Sequence, residues 1–229
     1  MGDEKKALPL AGGAKEPIVY AKEPPWPALL GLLAVGGLSL SLPEELTVGP
    51  KWLLLVLIVA LWVPSILAHR AKRFGVSHFL GYMLSGVITL AMVLSLASLV
   101  RALPAHKEAP TDLLLSAGAL WITNILVFAS WYWRLDAGGP HARSLREVHS
   151  DGAFLFPQMT QHTGRGAAAA MAWRPGFVDY LFLAFNTSTA LSPADTGVLS
   201  RWAKGLMMVQ SMISLATIAL LAARAVNIL

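Results

Sequence analysis

The residues best placed to do chemistry lie near the C-terminus: four consecutive polar side chains, Asn186-Thr187-Ser188-Thr189, and then the turn Ser192-Pro193-Ala194-Asp195. Further on, Gln210, Ser214 and Thr217 fall on one face of a helix by their spacing. Hydroxyls, an amide and one carboxylate set in apolar sequence suit two tasks. They can line an aqueous path and ligate small cations, or they can bond neighbouring backbone and hold helices together. Asp195 divides in the same way: repeated around an axis it is a ring of carboxylates that draws in cations, and alone it bonds the turn before Thr196 and Gly197. Asp179, seven residues ahead of Asn186, suits the first turn of a helix, where a carboxylate meets the positive end of the dipole.

A second group is His141, His149 and His162 with Asp151. Their spacings make no i, i+4 helical pair and match no ligand motif, so no metal is expected. His149 and Asp151 could serve a hydrolase as base and orienter, with Ser144 or Ser150 as nucleophile, but no nucleophile elbow surrounds either serine. The chain has 0 cysteines, which removes thiolate ligands, cysteine nucleophiles and disulfides. The expectation is therefore a protein that is not an enzyme and takes no cofactor.

The elements that must position these residues follow from composition. Of 229 residues 55% are hydrophobic and 14% charged, and the mean hydropathy is +0.59, values of a chain that repeatedly crosses a bilayer. The net charge of +5 sits at the ends of apolar runs, where it fixes topology, and forms no basic face for nucleic acid. Residues 1–25 are a polar arm with the composition of a disordered segment. Residues 26–111 hold three apolar runs, near 27–42, 52–68 and 78–99. The first is glycine-rich (Gly31, Gly36, Gly37), and the third carries a small-residue face at Gly81, Ser85 and Gly86, both suited to close helix packing. Residues 112–229 hold a fourth run, 112–133, with Thr123 and Asn124 as interhelical hydrogen-bond partners and an aromatic belt at Trp131-Tyr132-Trp133. A long connector, 135–174, follows, then a short helical stretch from Gly176 to Phe185 running into the polar string, and a final run near 202–226.

The stretch 177–190 is too short to cross a hydrocarbon core, which takes roughly 20 helical residues, so it is expected to enter and turn back. Backbone of that kind is tolerated only where protein buries it or where it lines a water-filled cavity. This gives an all-α integral membrane protein with five transmembrane helices plus a re-entrant half-helix. With the N-terminus inside, most Lys and Arg, including Arg70, Lys72 and Arg73 in their short loop, gather on the cytoplasmic side, and the re-entrant loop opens there as well.

The order from Asp112 to Leu229 resembles the two-helix pore module of bacterial potassium channels. The resemblance rests on Asp179-Tyr180-Leu181-Phe182 opening a pore-like helix, on Phe185-Asn186-Thr187-Ser188-Thr189-Ala190, on a turn with Asp195, and on a long helix anchored by Arg201. In that family the threonine-rich end leads into a Thr-Val-Gly-Tyr-Gly-Asp filter whose carbonyls replace the ion's hydration shell. The matching positions here read Thr189-Ala190-Leu191-Ser192-Pro193-Ala194-Asp195. Both glycines and the tyrosine are missing, and Pro193 fixes φ and lacks an N–H, so no potassium-type carbonyl ladder is expected. The whole chain also resembles a group of bacterial membrane proteins that share this ending and have no assigned activity.

The resemblance implies a homo-oligomer, a tetramer first, in a bacterial inner membrane. Its function would be a pore for small cations, with Asn186, Thr187, Ser188, Thr189, Ser192, Asp195, Gln210, Ser214 and Thr217 lining it or binding the ion. The other reading is a non-conducting scaffold or partner-binding protein that uses the same ending for helix packing.

Overall fold

The computed structural model describes residues 26–47, 49–102, 110–146, 152–160, 173–189 and 195–228. The polar arm, Ser192, His149, Ser150, Asp151 and His162 lie outside them. The chain is mostly helical, and four of its helices are long and apolar enough to cross a membrane: α2 (Trp52–Arg70), α3 (Phe74–Ala102), α4 (Pro110–Leu135) and a last long helix. Ahead of them α1 (Trp26–Ser41), with 16 residues, is about 24 Å long, shorter than a core of roughly 30 Å.

The polar string corrects one boundary. Helix α6 spans Phe177–Thr189, with α5 (Gly139–Ser144) before it and α7 (Arg201–Ile228) after it. The helix therefore runs past Phe185 through all of Asn186-Thr187-Ser188-Thr189. Threonine and serine are poor helix formers because their side chains compete for backbone groups. Here that competition stays inside the helix, for Thr187 Oγ1 donates to the Leu183 carbonyl at 2.8 Å and Thr189 Oγ1 to that of Phe185 at 3.0 Å.

Helix α4 is the hub, packing on α1, α3, α6 and α7, and its side chains supply much of the core, among them Leu113, Leu120, Phe128 and Tyr132. Helices α2 and α3 pair through a turn in which the Arg73 N–H reaches the Ala68 carbonyl at 2.9 Å and Lys72 takes a left-handed φ of 58°. The expected close approach of α1 occurs at two glycines. A Cβ at Gly31 would meet the Phe177 ring at 3.1 Å, and one at Gly36 would meet Leu55 Cδ1 at 2.7 Å. On α3 the small-residue face is used unevenly: a Cβ at Gly81 would run into the Arg134 side chain, while one at Gly86 would meet nothing within 4 Å among the described residues.

Contacts between helix ends sort them into two levels. Phe74, opening α3, stacks on His141 of α5 with ring centroids 3.9 Å apart. Phe154, in the connector after α4, meets Tyr132 of α4, Tyr180 of α6 and Trp202 of α7 at 5.3, 6.2 and 6.0 Å. The starts of α3, α6 and α7 and the end of α4 therefore share one end of the bundle, which also holds Arg70, Lys72, Arg73, Arg134, Arg143 and Arg201. The opposite end holds Lys51 and Arg101.

Candidate functional site

The connector after α4 is tied down at the basic end, and this fixes where α6 begins. Ala137, Gly138 and Gly139 take φ of 49°, 81° and 89° in succession, reversing the chain so that α5 folds back. Asp136, fully buried, then acts as an anchor. Its Oδ1 accepts the Ala153 N–H at 2.5 Å, and its Oδ2 accepts the Tyr180 hydroxyl at 2.5 Å. Buried Arg143 donates to the carbonyls of Trp133 and Asp136 at 2.7 and 2.9 Å, with its guanidinium 5.1 Å from the centre of the Tyr180 ring. Strand β1 (Phe154–Leu155) pairs antiparallel with β2 (Gly197–Val198), placing Phe154 opposite Val198. The chain thus leaves α6 and returns to the level at which α6 started.

From that level α6 runs into the bundle. Asp179 lies in its first turn, and its Oδ2 accepts the Gly176 N–H at 2.7 Å. Burial pushes its carboxyl above the ordinary range, partly offset by that backbone bond.

At the far end of this 13-residue helix, the polar string meets α4 and α7 in a buried lattice. Gln210 is its centre and is fully buried. Its Nε2 donates to the Ala184 carbonyl at 2.7 Å and to Ser188 Oγ at 2.8 Å, while its Oε1 accepts the Tyr132 hydroxyl at 2.5 Å. Ser214 Oγ donates to the Ser188 carbonyl at 2.6 Å and accepts Trp121 Nε1–H at 3.1 Å. Asn124 Nδ2 reaches the Gln210 carbonyl at 3.3 Å and Ser188 Oγ at 3.5 Å. Its Oδ1 is buried with no hydrogen-bond partner among the described residues.

The residues singled out from sequence therefore separate into two sets. Ser188, Gln210 and Ser214 come together in the lattice. Thr187 and Thr217 are buried beside it, Thr217 donating to the Ser214 carbonyl at 2.8 Å. Asn186 is half-buried, and Thr189 and Asp195 are exposed. The face shared by 210, 214 and 217 meets α4 and α6 of the same chain. Asn124 is an interhelical partner as expected, whereas Thr123 bonds the Ala119 carbonyl of its own helix at 2.8 Å.

Sequence reasoning missed Tyr132, read as part of an aromatic belt, and Trp121. Each meets its polar partner only in space, across 78 and 93 residues of sequence, and their signal was no more than a polar atom on an aromatic ring in the middle of an apolar run. It also missed Asp136, Arg143 and Tyr180. Of the histidines, His141 packs against Phe74 with His69 and His78 around it, at 5.7 and 6.4 Å between ring centroids. Among the described residues no group of three His, Asp or Glu is arranged to hold a metal ion. Ser144 donates to the His141 carbonyl at 2.7 Å.

No protein-family model matches the chain, nor does any curated protein or solved structure.

Proposed function

We propose that this chain is a subunit of an oligomeric membrane pore for small cations, without a potassium-type filter, in which α6 enters the membrane from the basic end and the chain turns back. The observation that carries the reading is the two-sided tip of α6. One side, Ser188, is sealed against Gln210 and Ser214, while the other presents exposed Thr189 and half-buried Asn186, followed by exposed Asp195. Within the chain the last-turn carbonyls of Asn186, Thr187 and Ser188 take donors from Thr189, Ser211 and Ser214, so the polar groups left on the outer side are the Asn186 and Thr189 side chains. At membrane depth such groups cannot face lipid, so further copies of the chain or water must cover them. Several copies around an axis supply both, and the negative end of each α6 dipole then favours a cation there. Four copies is the arrangement the potassium-channel resemblance implies.

On this reading the roles divide. Asn186, Thr189, Ser192 and Asp195 serve the path, while Thr187, Ser188, Gln210, Ser214 and Thr217 hold the half-helix that presents them. The basic end is cytoplasmic by the distribution of Lys and Arg.

A second reading has its own support. Ser188, Gln210 and Ser214 satisfy one another within a single chain, as a helix-packing scaffold without conduction would require. Flux of monovalent cations into liposomes carrying the purified protein separates the two. The pore reading predicts flux that falls several-fold in Asp195→Asn with the oligomer intact. No flux under any cation gradient leaves the scaffold.

A further inference from the structure

A cavity of about 280 Å3 lies at the end of the bundle opposite the basic one, between α1, the connector that follows it, α2 and α3. It is close to the lower end of the roughly 300–1,000 Å3 of small-molecule sites. Its walls are hydrocarbon: Leu54 and Leu57 from α2, and Val87, Leu90 and Leu94 from α3. Two of the hydroxyls at its edge are already engaged. Ser39 Oγ donates to the Gly36 carbonyl at 2.7 Å, and Thr47 Oγ1 reaches the carbonyls of Glu44 and Gly49 at 3.0 and 3.1 Å.

Among the described residues, one charged side chain lines the cavity, Lys51. It is half-buried and stands beside exposed Trp52. Tryptophan and lysine at the end of an apolar helix mark the level of lipid headgroups. Glu44 and Glu45, on the same connector, are exposed and do not line the cavity. Leu57, Leu90 and Leu94, at 37%, 60% and 39% exposure, lead from the cavity onto the outer surface of the bundle.

A hydrocarbon slot that is open sideways, with one cation at its headgroup end, has the complement of an amphiphile: an acyl chain below and an anionic group above. We infer that this cavity holds one acyl chain of an anionic phospholipid, with Lys51 pairing its phosphate. The sideways opening favours phospholipid over free fatty acid, because a second chain can remain in the surrounding bilayer. The inference rests on the membrane reading of the long helices and is independent of conduction.

The test is native mass spectrometry of the full-length protein released from detergent micelles. The lipids are phosphatidylglycerol or phosphatidylcholine of identical chains, with oleate as a third arm. Phosphatidylglycerol should be retained preferentially. Lys51→Gln should weaken that retention about fivefold, the effect of one basic residue at an anionic surface, while Lys51→Arg restores it. Leu90→Trp, which fills the slot from the exposed side, should reduce retention without changing the preference for the anionic head at Lys51. Equal retention of the two phospholipids, or indifference to Lys51→Gln, overturns the inference. Tighter Lys51-dependent retention of oleate overturns the choice of phospholipid. Lys51→Gln is a rim substitution, so it remains informative even if Leu90→Trp fails to fold.

Discussion

The Tyr132 hydroxyl donates to Gln210 Oε1 at 2.5 Å across 78 residues of sequence, with both side chains fully buried. That bond fixes the amide of Gln210, turning its Nε2 toward the Ala184 carbonyl and Ser188 Oγ. One side chain of α7 thereby holds α4 on one hand and the last turns of α6 on the other.

Removing that centre should cost more than removing any neighbour. Gln210→Leu gives up three hydrogen bonds, on the order of 2 kcal/mol at roughly 0.6 each for bonds between helices in a membrane. Asn124→Leu gives up two long ones and also removes a buried oxygen without a partner, so its loss should be well under half of that. Thermal unfolding in detergent ranks them. A double variant Tyr132→Phe/Gln210→Leu should be no worse than Gln210→Leu alone by more than a few tenths of a kcal/mol.

The reversal after α4 makes a pair of opposite predictions. Ala137 holds φ of 49°, a region that costs a residue with a Cβ, so Ala137→Gly should stabilise by up to about 1 kcal/mol. At Gly139, φ is 89° and a Cβ would stand 2.8 Å from the Arg134 carbonyl oxygen. Gly139→Ala should therefore destabilise by more than 1 kcal/mol, on the order of the larger backbone penalties. Melting temperatures of the two variants, measured side by side, check the signs.

Asp179 gives stability a pH dependence of unusual sign. Its folded carboxyl titrates above the unfolded value of about 3.9, so between those two values the folded state binds more protons. Stability should then fall as pH rises from the ordinary carboxylate range through the raised one. Asp179→Asn keeps an acceptor for the Gly176 N–H and should flatten that part of the melting profile. An unchanged slope in the variant would assign the dependence to other groups.

The long helices were legible because their apolar runs end at charges or prolines: α2 starts at Trp52 as read, and α4 ends two residues past the expected Trp133. The tip of α6 was legible in composition but not in conformation. Four polar residues in a row read as the end of a helix, and only their bonds to Leu183, Phe185 and Gln210 show why the helix continues. The anchor at Asp136 was not legible at all. Nothing local marks it apart from other acidic residues in a connector, and its partners Ala153 and Tyr180 lie 17 and 44 residues away. Which polar face turns inward was likewise undecided, because the spacing of 210, 214 and 217 is the same whether the face meets helices or water.

Re-entry has a direct topological test. With 0 native cysteines, single cysteines can be read cleanly. Arg174→Cys and Thr196→Cys should react with an impermeant maleimide from the same side of sealed vesicles. Reaction from opposite sides would make α6 a crossing helix.

The central claim is that the outer side of the α6 tip faces water in the assembled protein while the inner side is sealed. The measurement closest to it is modification of Thr189→Cys and Ser188→Cys, one at a time, by a small membrane-impermeant cationic thiosulfonate, with Leu215→Cys on the exposed apolar face of α7 as the lipid reference. The account predicts rapid modification of Thr189→Cys, accompanied by a change in cation flux, and no modification at Ser188→Cys or Leu215→Cys in variants that still assemble. Thr189→Cys as unreactive as Leu215→Cys would contradict it, for the tip of α6 would then be closed off from water and no path would pass there.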